Sequence, residues 1–532
     1  MKLYLFPVLL ACVLLFEWGH TQVIMNHSFK TLVPELQRET IFPVNPFQAL
    51  EIIDTLHHSM RADNKFTEKW LGRKLFNEHL LDVQKDDYRF VINPLANLRL
   101  GNENNTDALL WQNTRAIQAY AKLGKNFIFY TDFYENQALF PQYIRQKGEM
   151  SKEGYILPIL PGTGIAKRFG EDRLAHDFAY ANGYLSLQAN KYINLQFGTG
   201  KHFFGHGYRS LFLSDYAFNY PYLRMTTKFW KIHYTNLFTQ MTDIRRTIPE
   251  NETFAKKYVT SHYLTIKPND KIEFGLFETI VYQDSMSTRG LEIAYLNPFI
   301  LYRPVEFALG SRGGNALLGA HMAIFPTKNI TLYGQLLLDE LKVDEVIGRT
   351  GWWANKYSIQ AGFKSYNTFV PNLFVQAEIN YSRPYTYTHQ SDSQNYGHYN
   401  EPLAHPLGAN FVESVSNIRY RYKRWIAETQ LMYAIQGRDF EETNWGSDIY
   451  QSYNTREQDF DNRPLQGNRT KTLFSDTKLA YILNPGTNLR LEVGYTFRQV
   501  TPEVETTILT ANTTHWFHLG FVTRLNNQYH DF

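Results

Sequence analysis

The feature that most constrains the fold is a repeated alternation of apolar and polar side chains, which begins near residue 90 and continues to the end of the chain. Segments about ten residues long show it clearly, among them 357–364, 373–381, 489–498 and 517–524. This period of two is typical of strands with one apolar face and one polar face, as in a transmembrane barrel. Soluble β-sandwiches and propellers show the same alternation, so the connections must distinguish between these folds.

Short turns and longer loops alternate strictly along the chain, as expected when successive strands cross a membrane. Short links lie near residues 123–124, 190, 230, 269–270, 327–328, 371, 423 and 485–486. The longer connections are 102–108, 135–176, 201–220, 243–256, 283–314, 341–354, 383–411, 437–472 and 500–513. The apolar stretch 291–304 is assigned to a loop because counting it as a strand would invert every later connection. The pattern predicts an all-β membrane protein, an antiparallel transmembrane barrel of about eighteen strands over 90–532, with a last strand running from His515 toward Phe532.

The first 89 residues do not follow the strand pattern. Residues 1–21 have a basic start, an apolar core and a small-residue exit, which predicts a secretory signal peptide and a mature start at Gln22. Lipidation at Cys12 is the alternative interpretation. Residues 22–89 are expected to form a periplasmic helical segment, with one helix starting at Asn45-Pro46 and a second over 66–80. This segment is expected either to dock at or enter the periplasmic mouth, or to act as a partner-binding arm.

Composition excludes several classes of protein. The formal net charge is only +3, which argues against nucleic acid as a partner. Cys12 is the single cysteine and lies in the signal segment, so the mature chain has no disulfide or cysteine-based metal site. Mean hydropathy is −0.40 and no run of 18 apolar residues occurs, yet 16% of residues are aromatic. Aromatic girdles at the two membrane interfaces would explain this excess, with membrane lipid as the expected partner in a bacterial outer membrane.

Two long loops, 201–220 and 283–314, are predicted to fold into the lumen as plugs. Glycines in the first loop allow the chain to fold back, and apolar residues in the second favour burial. We expect ion pairs among Lys201, Arg209 and Asp215. The candidates for ligand binding or lumen lining are Lys201, His202, Phe204, His206, Tyr208, Arg209, Asp215, Tyr220, Tyr302, Arg303 and Glu306.

No catalytic, metal or cofactor motif emerges from the sequence. The glycine-rich stretch 198–210 lacks the Gly-Lys-Ser/Thr of a phosphate loop. His202 and His206 could share a metal only on a helix, which the surrounding glycines disfavour, and no third ligand is spaced nearby. Inward carboxylates such as Glu378, Glu428 and Glu492 could hydrolyse glycosides, but pairing with Arg419, Arg421 and Arg490 is the simpler interpretation. We therefore expect no enzyme activity and no cofactor.

Two outer loops, 384–389 and 445–453, mix aromatic rings with amide and hydroxyl groups. This mixture suits stacking on sugar faces, and it equally suits ordinary loops.

Several motifs together resemble the capsule-assembly Wzi family and, more closely, its Bacteroidota branch that includes the gliding-motility protein RemB. The motifs lie at residues 73–80, 200–205, 207–211, 213–215, 220–223, 302–307 and 315–319. The resemblance implies an eighteen-stranded outer-membrane barrel with periplasmic helices. It further implies lectin-like retention of surface polysaccharide, or a part in gliding and type 9 surface protein secretion with the proteins of that complex as partners. It carries no catalytic residue. A porin-like solute channel is the alternative function.

Overall fold

The structure is a computed structural model that describes residues 60, 62, 65–152, 155–248, 253–283, 290–298, 302, 304, 313–440, 442–507 and 509–532. The predicted signal peptide, the alternative lipidation at Cys12 and the predicted helix starting at Asn45 lie outside the described residues. Two candidate site residues, Arg303 and Glu306, also lie outside them.

The described chain forms one large antiparallel sheet that closes into a barrel. Twenty strands share this sheet. Two of them, Leu81–Gln84 and Lys167–Phe169, are short strands that each pair with a single strand of the barrel wall. The eighteen remaining strands form the wall and are numbered β1 to β18 in chain order: Tyr88–Glu103, Leu110–Leu123, Phe127–Leu139, Ala175–Gln188, Ile193–Gly200, Tyr220–Phe229, Ile232–Ile248, Thr253–Asn269, Ile272–Tyr282, Asn315–Thr327, Ile330–Glu340, Lys356–Tyr366, Leu373–Ser382, Phe411–Tyr422, Trp425–Arg438, Asn468–Asn484, Leu489–Pro502 and Asn512–Thr523. The predicted strand number is confirmed.

Closure occurs between the first and the last strand of the wall. β1 pairs with β18 in a register that runs from Asn97 opposite Val522 to Glu103 opposite Trp516. Every wall strand therefore has two hydrogen-bonded neighbours. A closed wall leaves no unpaired strand edge facing hydrocarbon, where unsatisfied backbone groups would be costly.

The alternation in sequence becomes an alternation between the outside of the barrel and its lumen. In β17, Leu491 and Val493 are 46% and 59% exposed, whereas Arg490 and Glu492 are buried. Outward-facing aromatic side chains collect near the short turns: Tyr192, Phe229, Trp230, Phe369, Tyr422 and Trp425. Such a girdle is typical of a membrane–water interface. Across the described residues, no helix combines the length and apolar character needed to cross a bilayer.

The two ends of the barrel differ as predicted, and we call them the turn end and the loop end. All eight short links lie at the turn end and join strands at the positions expected from the sequence. The loop boundaries differ from the prediction where the strands are longer than expected. β3 extends to Leu139, so the loop predicted over 135–176 starts later. β7 and β8 reach Ile248 and Thr253, so the loop predicted over 243–256 is shorter.

Residues before the wall dock at the turn end. Helix α1, Trp70–Phe76, is shorter than the helix predicted over 66–80. Residues 81–84 pair with β1 as a strand. Arg424, in a short turn, donates from Nε to the Met60 carbonyl at 2.8 Å. Asn484 donates to the Lys74 carbonyl at 3.1 Å.

The last residues enter the lumen instead of extending the wall. The prediction that the final strand continues toward Phe532 is wrong, because β18 ends at Thr523. Residues 524–532, which we call the tail, then turn inward, and Tyr529, Asp531 and Phe532 are buried. The carbonyl of Phe532 accepts a hydrogen bond from Arg498 Nε at 3.0 Å. The tail thus enters from the turn end.

Candidate functional site

The loop between β5 and β6, residues 201–219, fills the lumen from the loop end, and we call it the plug. Nearly all of its side chains are buried. Glu378, which points inward from β13, accepts the backbone N–H groups of Tyr208 at 2.8 Å and Arg209 at 2.9 Å. Gln335, from β11, accepts the Leu211 N–H at 2.8 Å and donates to the Phe204 carbonyl at 3.0 Å. Inward polar groups of the wall therefore satisfy backbone groups that an irregular buried segment would otherwise leave unpaired.

Arg209 is the charged centre of the plug. Its Nη2 lies 2.9 Å from Glu413 Oε1 and 3.0 Å from Asp531 Oδ2. Burial disfavours the charged guanidinium, yet the carboxylates of Asp531 and Glu413 outweigh it and raise the pKa of Arg209. His405 Nε2 lies 2.7 Å from the second oxygen of Glu413. Arg209 therefore stays ionised and links the plug to both the wall and the tail.

The prediction of ion pairs among Lys201, Arg209 and Asp215 is wrong, because each of these residues has other partners. Lys201 donates from Nζ to the Gly162 carbonyl at 2.8 Å. Asp215 accepts from the Tyr529 hydroxyl at 2.6 Å and from Asn527 at 2.7 Å. The tail, which carries both of these donors, was expected in the wall, so the sequence could not indicate these pairings.

The remaining plug candidates pack inside the barrel. His202 Nδ1 lies 3.3 Å from the Tyr220 hydroxyl, and Phe204 stacks on Tyr263 with ring centroids 4.7 Å apart. The Tyr208 hydroxyl donates to Asp531 at 2.9 Å. These side chains hold the plug together and are buried away from the surface of the barrel.

The prediction that loop 283–314 enters the lumen is wrong for its described part, which packs on the outer face of the wall: Ile280 and Tyr282 lie on the same face of β9 as the exposed Phe274 and Leu276. Tyr295 and Tyr302 are buried in one cluster with Ile280 and Tyr282. The Tyr302 hydroxyl lies 2.5 Å from His262 Nε2, and its backbone N–H donates to Glu278. Tyr302 is therefore a packing residue of this loop.

His206 has neighbours that sequence spacing did not reveal. It lies near Glu273 of β9 and His321 of β10, and the three ligand-type atoms lie within 4.8 Å of one another. His202 is elsewhere, beside Tyr220 and Tyr222. The three residues of the His206 cluster are distant in sequence, so no local motif could have indicated it.

Of the three inward carboxylates, Glu428 pairs as the simpler interpretation predicted, whereas Glu378 and Glu492 have other partners. Glu428 lies 2.9 Å from Arg419 Nε and 3.9 Å from Arg490 Nη1. Glu492 pairs instead with Arg99 at 3.1 Å and Arg524 at 2.6 Å. Arg421 donates to Asn372 at 3.2 Å rather than to one of these carboxylates. The arrangement is that of charge pairs lining a lumen.

A cavity lies between the plug, the tail and the wall strands β3 to β6. Its empty space is about 970 Å³, counting solvent at its mouth. Tyrosine rings line it, and Tyr130 stacks on Tyr184 with centroids 5.2 Å apart. Gln196 also lines it, and within the described chain neither atom of its buried amide has a hydrogen-bond partner. The lining thus combines ring faces with an amide able to bind a polar solute.

The loop end carries a second candidate site, a partly exposed cluster that we call the aromatic patch: Trp352, Trp353, Tyr453, Arg456 and Phe460. Phe460 is exposed, Trp353 is buried and the other three are half-buried. The Trp352 and Phe460 rings lie 4.9 Å apart, and Phe460 is 47% exposed. Trp353 lies 4.6 Å from Tyr453, and Arg456 sits 4.4 Å above the Trp353 ring.

Backbone hydrogen bonds hold the two loops of the patch together. The Trp353 N–H donates to Asp459 O, Asp461 N–H to Thr350 O and Asn462 N–H to Gly351 O, each at 2.9 Å. The patch is therefore a supported surface rather than a set of independent loop side chains.

The two outer stretches predicted to stack on sugars, 384–389 and 445–453, differ in the structure. The two tyrosine rings in 384–389 are buried. The Tyr385 hydroxyl donates to Asn444 O at 2.7 Å and the Tyr387 hydroxyl to Leu211 O at 2.9 Å. Tyr387 covers the plug, and neither of these buried rings can stack on an external sugar. Tyr453, from the second predicted stretch, belongs to the aromatic patch.

Comparison with known proteins agrees with the fold. No family model and no characterised protein sequence matches the chain. Among solved structures, the chain is similar to Wzi of Escherichia coli, described as an outer-membrane protein involved in group 1 capsule assembly and as a carbohydrate-binding β-barrel. The TM-score is 0.53 at 12% identity, covering 95% of this chain and 100% of Wzi.

Other similar structures are outer-membrane proteins of Pseudomonas aeruginosa. OprD gives a TM-score of 0.42 at 9% identity over 84% of this chain and 95% of OprD. OccK5 gives 0.43 at 8% identity over 82% of this chain and 98% of OccK5. The closed eighteen-stranded wall and the likeness to Wzi define the fold of the chain as that of an outer-membrane β-barrel. At these identities the comparisons define the fold alone.

Proposed function

We propose that this chain is a non-enzymatic outer-membrane barrel that holds surface polysaccharide at its loop end. The observation that carries the proposal is the aromatic patch. The exposed Phe460 and the half-buried Trp352 offer stacking faces for pyranose sugars, while Arg456 and the neighbouring loop carboxylates and amides offer hydrogen bonds to hydroxyl groups. The likeness in fold to a carbohydrate-binding barrel supports the same function. Because a plug fills the lumen, we expect binding on the surface of the outer loops rather than in a wide pore.

Purified full-length protein in detergent should bind polysaccharide released from the surface of the source bacterium. The double variant Trp352→Ala/Phe460→Ala should weaken binding by about tenfold or more, since truncating aromatic anchors often costs about 2 kcal/mol and 1.4 kcal/mol is tenfold. The matched control is Trp230→Ala/Phe369→Ala at the turn end, whose rings are 72% and 75% exposed. Equal loss in both double variants, or no binding by wild-type protein, would contradict the proposal.

The resemblance to the gliding-motility branch supports an additional role, in which the barrel belongs to a gliding and surface-secretion complex. Deleting the gene and scoring polysaccharide retention, gliding and secretion separately distinguishes the two roles. Loss of polysaccharide alone supports the tethering role, and loss of gliding and secretion with polysaccharide retained supports the complex.

A porin-like solute channel is the second candidate, and the cavity beside β3 to β6 is the observation that favours it. The cavity is lined from Phe218 near the loop end to Arg224 within the wall. A channel should let small sugars into liposomes at a rate that Tyr184→Trp reduces, because a larger ring would narrow the cavity. No uptake above that of empty liposomes would exclude this function.

A further inference from the structure

Three side chains capable of binding a metal meet where the plug reaches the turn end. His206 comes from the plug, Glu273 is the second residue of β9, and His321 lies in β10. His206 Nε2 lies 3.3 Å from Glu273 Oε1, and His321 Nε2 lies 3.2 Å from the same oxygen. All three are buried. The set unites two neighbouring strands with a loop that enters from the opposite end of the barrel.

These separations suit a shared metal ion. Ligand bonds of about 2.0 to 2.1 Å in a tetrahedral site place ligand atoms about 3.3 Å apart. Two imidazoles and one carboxylate leave a fourth position open, and this donor set suits Zn²⁺ best among the common divalent ions, with Fe²⁺ as an alternative occupant. Mg²⁺ and Ca²⁺ prefer oxygen ligands and are disfavoured by two nitrogens.

The surroundings fix the ligands in place. The Tyr263 hydroxyl lies 3.0 Å from His321 Nδ1, which orients the ring so that Nε2 faces Glu273. Outer contacts of this kind commonly orient metal-binding histidines. Gly275 pairs directly with His321 across the strands, and a Cβ at Gly275 would lie 1.8 Å from His321 Cε1. The absence of a side chain at Gly275 therefore provides the space that the His321 ring occupies.

We propose that His206, Glu273 and His321 bind one divalent transition-metal ion, Zn²⁺ being the expected occupant, which ties the plug to the wall of the barrel. The two strands alone supply only two ligands, so the site is complete only when the plug is seated. Metal binding and plug seating are then linked, and the ion stabilises the closed lumen.

The test measures metal directly on the full-length protein in detergent. Chelator-treated protein is incubated with Zn²⁺ and freed of excess ion. The Zn²⁺ that remains bound is then quantified by elemental mass spectrometry. Wild-type protein should retain one Zn²⁺ per chain, and His206→Asn and His321→Asn should lose it. The matched control is His262→Asn, which alters a buried histidine on the outward face of β8, whose Nδ1 lies 3.8 Å from Glu278. The control should retain Zn²⁺.

Two further measurements separate metal binding from folding. Each variant is first shown to be a folded barrel by its heat-dependent shift on a gel. Tyr263→Phe keeps all three ligands and should weaken Zn²⁺ affinity by about 10- to 100-fold. Chelator should lower the unfolding midpoint of wild-type protein and leave that of His206→Asn unchanged. Equal Zn²⁺ retention by folded wild-type protein and the folded His206→Asn/His321→Asn variant would overturn the proposal.

Discussion

Arg209 and Asp531 form an ion pair inside the barrel, with Nη2 and Oδ2 3.0 Å apart, although they enter the lumen from opposite ends. The plug brings Arg209 from the loop end, and the tail brings Asp531 from the turn end. Glu413 of β14 completes the arrangement. Closure of the lumen therefore depends on three separate parts of the chain.

Removing the charge of Arg209 should destabilise the barrel strongly. Arg209→Met leaves the carboxylates of Glu413 and Asp531 buried without their cation, which typically costs about 3–5 kcal/mol. Urea unfolding in detergent measures the change. Arg73→Met is the control, since the Arg73–Glu78 pair is well exposed and contributes about 0–1 kcal/mol. Equal effects of the two substitutions would contradict the role given to Arg209.

Glu378 should control whether the plug stays seated. In Glu378→Gln an amide group replaces one of the two oxygens that accept the Tyr208 and Arg209 N–H groups, and a lost buried acceptor costs about 1–3 kcal/mol. Trypsin should then cleave after Arg209 faster than in wild-type protein. Glu428→Gln, which alters a carboxylate paired with Arg419, should leave that cleavage rate unchanged. Similar cleavage in all three proteins would argue against this anchor.

His398 should make stability depend on pH. Its Nδ1 accepts the Thr242 N–H at 2.9 Å and its Nε2 lies 3.2 Å from the Asn219 carbonyl. Burial lowers the pKa of His398 to about 3 from the ordinary 6.5. The neutral ring therefore contributes its full stabilisation above about pH 6.5, and this contribution is lost as the pH falls toward 3.

His398→Gln should flatten that dependence. Urea midpoints of wild-type protein should fall more steeply than those of the variant between pH 6.5 and 3. Parallel curves would show that His398 is not responsible.

A small residue is required opposite a lumen histidine. Gly494 pairs with His518, and a Cβ at Gly494 would lie 2.2 Å from His518 Cε1. Gly494→Ala should lower the unfolding free energy by about 1–3 kcal/mol through overpacking. Gly200→Ala is the control because the nearest atom to its added Cβ is 3.6 Å away. A Gly494→Ala variant as stable as the control would contradict this packing.

The wall could be predicted from sequence because one physical rule governs each residue of it. Alternation in β17 places Leu491 toward lipid and Arg490 toward the lumen, and the connections then determine strand number and orientation. Strand ends were less accurate, as at β7 and β8, because strands continue beyond the apolar zone without a change in their pattern.

The lumen could not be predicted to the same degree. Burial of the plug follows from its glycines and apolar residues, but the partners of Arg209 come from β14 and the tail, far away in sequence. The tail itself was assigned to the wall because the last strand was expected to run from His515 toward Phe532. His206, Glu273 and His321 meet only after the barrel closes around the plug, so no spacing rule could indicate their cluster.

Single-channel conductance in planar bilayers tests the central claim, a lumen closed by the plug and the tail, most directly. Wild-type protein should pass little current, whereas a variant with residues 203–217 replaced by a short flexible linker should show stable openings, since an eighteen-stranded barrel without its plug is wide enough for an aqueous channel. Stable large pores in wild-type protein, equal to those of the plug-deleted variant, would contradict the account.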